Sequence, residues 1–246
     1  MQAVIIAAGE SSRFWPLSNG IHKSQVKLLG KSLLYWTLKG FSENGIKDIV
    51  VVHRSNSSIP QILQEENDLG IELRFVAQKE SLGPGDAAFK AREYITQPFF
   101  LSHPNKVNAK FLVSRMVEQQ KTIGAGVVLV GAKTQTPWDY GMIRFEGEKP
   151  VEIVENPEKG KEPSNMRTLG VYLLPPEFFS IYGELPRHHE ADLIDAINLC
   201  LKEKGGALVE IEKGVPALKY PWELLGILDI LFGTAGSQQI IARSAK

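Results

Sequence analysis

Short apolar runs that alternate with longer segments of helical period are the feature that most limits the fold of this chain. The runs AVIIAA (residues 3–8) and DIVVVH (residues 48–53) are continuous and rich in β-branched residues, which is typical of strands buried on both faces of a sheet. Between them, SLLYWTLKGFSENG has apolar residues at helical spacing, and Gly45 is the expected helix stop. This order predicts a βαβ unit, and therefore parallel strand pairing.

The same alternation continues along the rest of the chain. Helices are predicted in IPQILQEENDLG, GDAAFKAREYI, FLVSRMVEQQKTIG and HHEADLIDAINLCLKEKGG, and strands in IELRFVAQ, PFFLSH, AGVVLVGAKT, LGVYLLP and ALVEIEKG. The stretch YGMIRFEGEKPVEIVENP predicts a β-hairpin with a polar turn. No long linker rich in Pro, Gly or Ser divides the chain. We therefore expect one large α/β domain with a mainly parallel sheet covered by helices.

The charge balance and the single cysteine exclude some classes of function. Lys+Arg and Asp+Glu each number 28, so the formal net charge is zero and non-specific nucleic-acid binding is not expected. Cys200 lies alone in an apolar helical stretch, which predicts a small buried side chain and excludes an intrachain disulfide. The opening MQAVIIAAGESSRF has no basic region before its short apolar run, so neither a signal peptide nor a membrane span is expected. These features predict a cytoplasmic protein without membrane attachment.

The loop after the first predicted strand has the composition of a phosphate-binding turn. Gly9 stands at the turn, Ser11 and Ser12 follow, and Arg13 and Lys23 supply positive charge. Glycine lets backbone N–H groups approach a phosphate, while arginine offers a forked donor and lysine a point charge. On this chemistry alone, an ordinary strand-to-helix turn with a solvated arginine and lysine is an equally good interpretation.

The stretch AAGESSRFWPLSNGIHKSQVKLLGKSLL resembles the N-terminal signature of the sugar-phosphate nucleotidylyltransferases, of the glucose-1-phosphate uridylyl- and thymidylyltransferase type. Their pattern runs A-A-G-x-G-T-R-x-x-P-L-T, then P-K-P-L, then G-K-P-L-L. The matching positions here are Ala7, Ala8, Gly9, Arg13, Pro16, Leu17, Lys23, Gly30, Lys31, Leu33 and Leu34. Four later stretches resemble further family motifs in the same order: QKESLGPGDAAFKA, YGMIRFEGEKPVEIVENP, TLGVYLLPPEFF and LKYPWELLGILDIL.

The resemblance covers nearly the whole chain and implies a fold. This fold is a three-layer α/β/α, Rossmann-like nucleotide-diphospho-sugar transferase fold with a mixed, mainly parallel sheet. The resemblance implies a nucleotidyltransferase domain over residues 1–235 and a tail over residues 236–246.

The resemblance also implies a reaction and a set of site residues. In the family, a sugar 1-phosphate oxygen attacks the α-phosphate of a nucleoside triphosphate, here expected to be UTP or dTTP, and pyrophosphate leaves with the help of Mg²⁺. The implied catalytic cations are Arg13 and Lys23. The implied nucleotide-binding residues are Ala8, Gly9, Ser11, Ser12, Gln78 and Gly83. The implied sugar-binding residues are Gly141, Glu155, Asn156 and Glu190.

Three positions depart from the family pattern around the expected phosphate and metal site. Asn105 stands where one metal-binding aspartate is expected, and Ala217 stands where the second is expected. Asn156 replaces the lysine that would hold the sugar phosphate. Asparagine keeps a carbonyl oxygen but lacks the charge that makes a Mg²⁺ site strong, and alanine cannot ligate a metal. Ser11, at the second glycine of the loop, is a milder change.

Other side chains could in principle replace the lost ligands. The candidate carboxylates are Asp86, Asp139, Glu190, Asp192 and Asp195, and the simpler interpretation of all five is helix capping or a solvated surface. His103 next to the expected site is more simply structural, because Mg²⁺ prefers oxygen ligands.

Two hypotheses of different class remain open. The first is an active sugar-1-phosphate nucleotidylyltransferase. The second is a catalytically impaired relative that binds nucleotide or sugar phosphate, or that regulates an active paralogue. Both hypotheses rely on the loop after the first strand, Arg13 and Lys23, which this sequence retains.

The last six residues, IARSAK (241–246), fit one turn of a hexapeptide repeat. Several relatives continue beyond the catalytic domain into a left-handed β-helix built from such repeats. The sequence therefore predicts either the start of a truncated β-helix region or an ordinary polar tail, and a homo-oligomer would depend on which is correct.

Overall fold

The computed structural model describes residues 1–186, 192–212, 218 and 220–234. Its strands are β1 (Gln2–Ala7), β2 (Lys27–Leu28), β3 (Lys31–Ser32), β4 (Asp48–Arg54), β5 (Glu72–Gln78), β6 (Phe99–Ser102), β7 (Val127–Lys133), β8 (Gly141–Glu146), β9 (Lys149–Glu155), β10 (Met166–Leu174) and β11 (Gly206–Glu210). Its helices are α1 (Leu33–Ser42), α2 (Ile59–Glu66), α3 (Pro84–Lys90), α4 (Ala109–Ile123), α5 (Phe178–Glu184), α6 (Asp192–Lys204) and α7 (Leu224–Thr234).

Nine of the described strands form one mixed sheet. Its order is β11-β7-β10-β6-β1-β4-β5, with β8 joined to β10 and hairpin-paired with β9, while β2 and β3 form a separate short ribbon. Strand β10 runs antiparallel to β6 and β7, and the pairs β1–β4, β1–β6, β4–β5 and β7–β11 are parallel. The mixed, mainly parallel sheet predicted from the sequence is thus confirmed, as is the hairpin.

Helices cover both faces of the sheet, which produces three layers. On one face, Ile6 and Phe99 pack in a cluster that includes residues of α3, α5 and α6. On the other face, Ile5 packs in a cluster that includes residues of α1, α2 and α4. Cys200 is fully buried in α6, where burial raises the pKa of its thiol to about 12, so it is the small buried side chain that the sequence predicted. Continuous apolar runs such as β1 follow from this double coverage.

The first βαβ unit shows how local sequence sets the layers. Ser32 caps α1, because its Oγ accepts from the Tyr35 N–H over 3.1 Å. The helix ends at Ser42, and Gly45 lies just beyond it in the turn, at φ 76°, a left-handed conformation that glycine adopts without strain. Gly40 lies so close to α4 that an added Cβ would stand 2.6 Å from the backbone nitrogen of Lys110. These contacts place α1 and α4 side by side on one face of the sheet.

The structure also contains elements that the sequence patterns did not predict. These are helices α5 and α7 and the β2–β3 ribbon. Helix α5 is only seven residues long, and it is held by tertiary contacts, since Phe179 stacks on Phe99 with ring centroids 5.0 Å apart. Helix α3 is shorter than predicted, because it ends at Lys90 and a separate 3-10 turn follows.

Two sequence expectations concern the ends and the surroundings of the chain. Among the helices that the structure describes, none combines the length and the apolar character needed to cross a bilayer. The tail over residues 236–246 lies outside the described residues, so its relation to a β-helix stays a prediction.

Candidate active site

A cleft of about 660 Å³ opens where the loops after β1, β5 and β6 leave the carboxyl edge of the sheet. Ligand sites of open α/β sheets lie at this edge, because the loops there converge over the strand ends. The sequence-predicted site residues that line the cleft are Ala8, Gly9, Ser11, Ser12, Arg13, Lys23, Gln78, Gly83, Asn105, Gly141, Glu155 and Asn156. The remaining two, Glu190 and Ala217, lie outside the described residues.

The loop after β1 is held at the cleft by contacts at both of its ends. Ser11 has φ 58°, a left-handed conformation that favours glycine and costs a serine about 1 kcal/mol. Its Oγ accepts from the Lys23 backbone N–H over 3.1 Å. Phe14, at the other end, is fully buried in a small cluster with Leu33 and Val107. The backbone of the loop is therefore positioned before any ligand binds.

Lys23 lies half-buried on the cleft wall. Its ammonium donates to the backbone oxygen of Leu218 over 2.9 Å, and Leu218 is itself fully buried. This hydrogen bond holds the Lys23 ammonium at the cleft wall, next to the loop after β1.

His22 is a residue beside this loop that the sequence analysis did not single out. Its Nδ1 accepts from the Ser24 N–H over 3.2 Å. Burial, with the nearby charges of Lys23 and Arg54, lowers the pKa of His22 to about 4. The neutral ring therefore carries its proton on Nε2, which stands 3.9 Å from where a Cβ of Gly9 would be. A lone histidine has no sequence signature, and only the fold brings this one to the loop.

Gln78, at the end of β5, has an orientation set by two acceptors. Its Nε2 lies 3.2 Å from the Gly83 oxygen and 2.8 Å from Asp86 Oδ2. Because both partners can only accept, the nitrogen must face them, and the carbonyl oxygen of Gln78 is left for a ligand. Asp86 also pairs with Lys90 over 3.3 Å. Asp86, one of the candidate replacement ligands, thus orients Gln78 instead.

The opposite wall of the cleft is built from the β8–β9 hairpin. Gly141 lies directly against the Glu155 carboxylate, so that an added Cβ would overlap Oε1 and would stand 3.0 Å from Thr168 Cγ2. Asn156 has φ 42°, and its N–H donates to the Tyr140 oxygen over 3.1 Å. Asparagine tolerates this left-handed conformation better than lysine does. The departure from the family pattern at Asn156 is thus accommodated by the local backbone.

The loop after β6 places two buried polar residues next to each other at the cleft. Asn105 is 3% exposed and Lys106 is 5% exposed. The loop is held by Thr37, whose Oγ1 donates to the Pro104 oxygen over 2.9 Å. Burial, followed by the charges of Arg167 and Lys23, lowers the pKa of Lys106 to about 7. Sequence analysis did not single out Lys106, because a lysine after a strand is usually solvated.

Arg167, on β10, is the second cleft cation that the sequence analysis missed. Its guanidinium carbon lies 4.3 Å from the centroid of the Tyr140 ring. Its Nε is buried and has no hydrogen-bond partner within the residues that the structure describes. Such an orphaned donor at a cleft wall fits an anionic ligand.

The described residues do not fit a magnesium ion. Within residues 1–186, 192–212, 218 and 220–234, no group of three or more His, Cys, Asp or Glu side chains could hold a metal. The carboxylates that line the cleft are all exposed: Glu10, Asp139 and Glu155. Beside the expected ligand position, Asn105, stands the cation Lys106. The weakened magnesium site expected from the sequence stays a prediction, because Ala217 lies outside the described residues.

Two other candidate ligands have positions that the structure defines. Asp192 is 2% exposed, and Tyr182 donates to its Oδ2 over 2.6 Å. The interpretation of Asp192 as a solvated residue was therefore wrong, because the residue is buried and hydrogen-bonded to Tyr182, while a role at the start of α6 stays a prediction. His103 lines the cleft and packs against Gly170, whose oxygen accepts from the His103 N–H over 3.3 Å.

The model of one protein family, described as nucleotidyl transferase, matches residues 2–232. A protein of Methanocaldococcus jannaschii, provisionally named a UTP–glucose-1-phosphate uridylyltransferase, is 28% identical over 242 residues, and the match covers 85% of each chain. A bifunctional sugar-1-phosphate nucleotidylyltransferase/acetyltransferase of Sulfurisphaera tokodaii is 24% identical over 92% of this chain. The match covers 54% of that protein, so this chain spans about half of its length.

Solved structures share the fold at lower identity. A UDP-glucose pyrophosphorylase from Acinetobacter baumannii is 20% identical, with a TM-score of 0.79 and coverage of 98% of both chains. A UTP-bound UGPase structure from the same organism is also 20% identical, with a TM-score of 0.77 and the same coverage. The fold implied by the sequence resemblance is thus confirmed.

Proposed function

This chain belongs to the nucleotidyl transferase family, and from that premise we propose that its cleft binds a nucleoside triphosphate and a sugar 1-phosphate side by side. The observation that carries the proposal is the convergence of donors on one loop. The backbone after β1, His22 and the cations Arg13 and Lys23 all line the cleft, with His22 beside Gly9 and Lys23 hydrogen-bonded to Ser11 through its backbone N–H. Backbone N–H groups and nearby cations together are a common way to hold phosphate groups.

The orientation of Gln78 favours a base with a ring N–H donor, such as the uracil or thymine of a UTP or dTTP ligand, or guanine, over adenine. Uracil and thymine present a ring N–H donor at N3, and the free oxygen of the Gln78 amide is an acceptor. Adenine presents an acceptor at the corresponding ring edge, so it would meet the Gln78 oxygen without a hydrogen bond. The relatives named above for UTP are consistent with this preference.

The reaction open to such a pair of ligands is nucleotidyl transfer. An oxygen of the sugar 1-phosphate would form a bond to the α-phosphorus, and the bond from that phosphorus to the leaving pyrophosphate would break. Catalysis of this kind rests mainly on positioning and on neutralising the charge that builds up on phosphate oxygens. Arg13 and Lys23 supply positive charge for this step at the loop after β1, and Mg²⁺ would supply more in the family.

A second function is favoured by the position of Asn105. This amide is buried where a carboxylate is expected, and no carboxylate cluster in the described ranges replaces it. A cleft that keeps its phosphate-binding loop but lacks the metal ligands suits a nucleotide- or sugar-phosphate-binding paralogue. Such a protein would bind the same ligands, transfer slowly or not at all, and act alone, as a homo-oligomer or with an active paralogue.

Two measurements on the wild-type protein test these functions. Pyrophosphate release is measured with Mg²⁺, the four common nucleoside triphosphates and a panel of sugar 1-phosphates. A turnover of about 1 s⁻¹ or more, the lower end of ordinary enzymes, would establish transfer and contradict the binding paralogue. A thermal-shift screen with the same compounds detects binding without chemistry. The absence of any shift would contradict both functions.

A further inference from the structure

Lys106 is a buried lysine without a counter-charge in the part of the chain that the structure describes. It is 5% exposed, and its ammonium has no hydrogen-bond or ion-pair partner within those residues. An isolated charge in such a place is unfavourable unless something pairs with it, because water no longer solvates it fully. The residue lines the cleft, so a partner could reach it from there.

The charged groups close enough to influence Lys106 are themselves cations. They are Arg167 on β10 and Lys23 in the segment after the phosphate-binding loop. Arg167 adds a buried Nε–H without an acceptor in the described ranges. Three elements from distant parts of the sequence thus bring positive charge to one region of the cleft. The carboxylates that line the cleft, Glu10, Asp139 and Glu155, are exposed and form no ion pair with Lys106.

Two hydrogen bonds hold the backbone on either side of Lys106, so the loop that carries its side chain is fixed in place. Thr37 on α1 donates to the Pro104 oxygen over 2.9 Å, and the Ala109 N–H that starts α4 donates to the Lys106 oxygen over 2.9 Å. Val107 is buried in the small cluster that also holds Phe14. The loop that would carry a metal ligand in the family therefore presents a lysine instead, whose charged form a bound anion would stabilise.

We propose that Lys106, together with Arg167, takes the place of a divalent cation, so that the cleft binds a phosphate group of its ligand without metal. The ligand class is a phosphate ester or anhydride with at least two negative charges. This inference rests on the proposed function, since that function supplies the phosphate ligand. The guanidinium provides directed donors and the ammonium a point charge, the combination that phosphate groups bind best.

The source of the phosphate group is either the nucleoside triphosphate or the sugar 1-phosphate. Both carry the same chemistry, and the cleft is large enough to hold both. Titration with UTP, glucose 1-phosphate and pyrophosphate separately distinguishes them, because the group that occupies the Lys106 site is the one whose affinity depends on Lys106.

Isothermal titration calorimetry of the full chain tests the proposal, with each probe in EDTA and in MgCl₂. We expect at least one probe to bind as tightly in EDTA as with Mg²⁺. Lys106→Met should weaken that binding about 10- to 100-fold, the usual effect of losing one charge-assisted contact. Lys121→Met is the matched control, because Lys121 is exposed on α4 and away from the cleft lining. It should bind like the wild type.

Folding of the Lys106→Met variant is not in question, because it removes a buried charge and keeps the length of the side chain. Lys106→Gln, which keeps a polar donor but no charge, gives a second test of the same contact. Binding of every probe only in the presence of Mg²⁺, or unchanged binding by both variants, would overturn the metal-free site while leaving the proposed function intact. No binding under either condition would instead contradict the proposed function itself.

Discussion

Gln78 and Asp86 are joined by a hydrogen bond of 2.8 Å, in which the amide nitrogen of Gln78 donates to Oδ2 of Asp86. The bond links the end of β5 to the first turn of α3, and it decides which atom of Gln78 is available at the cleft. A carboxylate in the first turn of a helix would usually be explained by the helix dipole alone. Under the proposed function, it would also determine how the cleft recognises a base.

The first prediction concerns this pair. In Asp86→Ala the Gln78 amide loses its stronger acceptor and can rotate, so the affinity for UTP should fall about tenfold. Calorimetric titration with UTP measures the change. Lys90→Met is the control, because it removes the ion pair to Asp86 but leaves the bond to Gln78 intact. An Asp86→Ala variant that binds UTP like the wild type would show that Gln78 does not contact the base.

The second prediction concerns the backbone of the loop after β1, the phosphate site of the proposed function. An added Cβ at Gly9 would meet only His22 Nε2, at 3.9 Å, and would otherwise stand in open space. Gly9→Ala should therefore change the free energy of unfolding by less than about 0.5 kcal/mol. The same methyl group should weaken triphosphate binding about tenfold or more, because it lies where phosphate oxygens would approach the backbone.

Chemical denaturation and calorimetry measure these two effects on Gly9→Ala separately. Gly233→Ala in α7 serves as control, since no atom lies within 4 Å of its added Cβ. It should keep wild-type triphosphate affinity. If Gly9→Ala also keeps wild-type affinity, the loop after β1 is not the phosphate site.

The third prediction concerns the pH dependence of stability through His22. The folded-state pKa of about 4 lies below the ordinary value of 6.5. Well above pH 6.5, His22 is neutral in both the folded and the unfolded protein. As the pH falls from 6.5 to 4, the unfolded state binds the proton first, and the folded state loses up to about 3 kcal/mol of stability.

His22→Asn should remove this part of the pH dependence, because an asparagine oxygen can accept from the Ser24 N–H without titrating. Urea denaturation of both proteins at a series of pH values between 7 and 4 measures it. As the pH falls, the unfolding free energy of the wild type should decrease more than that of His22→Asn. A difference that stays constant over this range would contradict the assignment of a neutral buried His22.

The fourth prediction concerns the three departures from the family pattern. If they limit catalysis, the combined variant Asn105→Asp, Ala217→Asp and Asn156→Lys should gain Mg²⁺-dependent pyrophosphate release. The lysine at position 156 must adopt the left-handed conformation seen at φ 42°, which costs about 1 kcal/mol, so a small loss of stability should accompany the gain. The coupled assay with UTP and sugar 1-phosphates measures turnover.

A related double variant, Asn105→Asp combined with Lys106→Met, restores one carboxylate and removes the adjacent lysine charge. If Lys106 competes with magnesium, this double variant should bind Mg²⁺ more tightly than Asn105→Asp alone, which keeps the positive charge of Lys106 next to the new carboxylate. Failure of the triple variant to gain any Mg²⁺-dependent turnover would mean that the three departures are not what limits catalysis.

The sequence by itself determined the class of fold and the position of most strands. Continuous β-branched runs such as β1 and β4 predict doubly covered strands, and the period of the segment at residues 33–42 predicts the helix between them, because these patterns depend on neighbours within a few residues. The ordered motifs also indicated loops that converge on one cleft. The described residues predicted for the site line one cleft, although their roles remain predictions.

Only the tertiary structure decided which charges meet in that cleft. Lys106 follows β6, Arg167 lies within β10 and Lys23 stands beyond the loop after β1, so no local pattern relates them. The sheet order places β6 between β1 and β10, and this adjacency brings the three together. Whether a lysine is solvated or buried depends on the residues packed around it by the whole fold, and a one-dimensional pattern cannot contain that information.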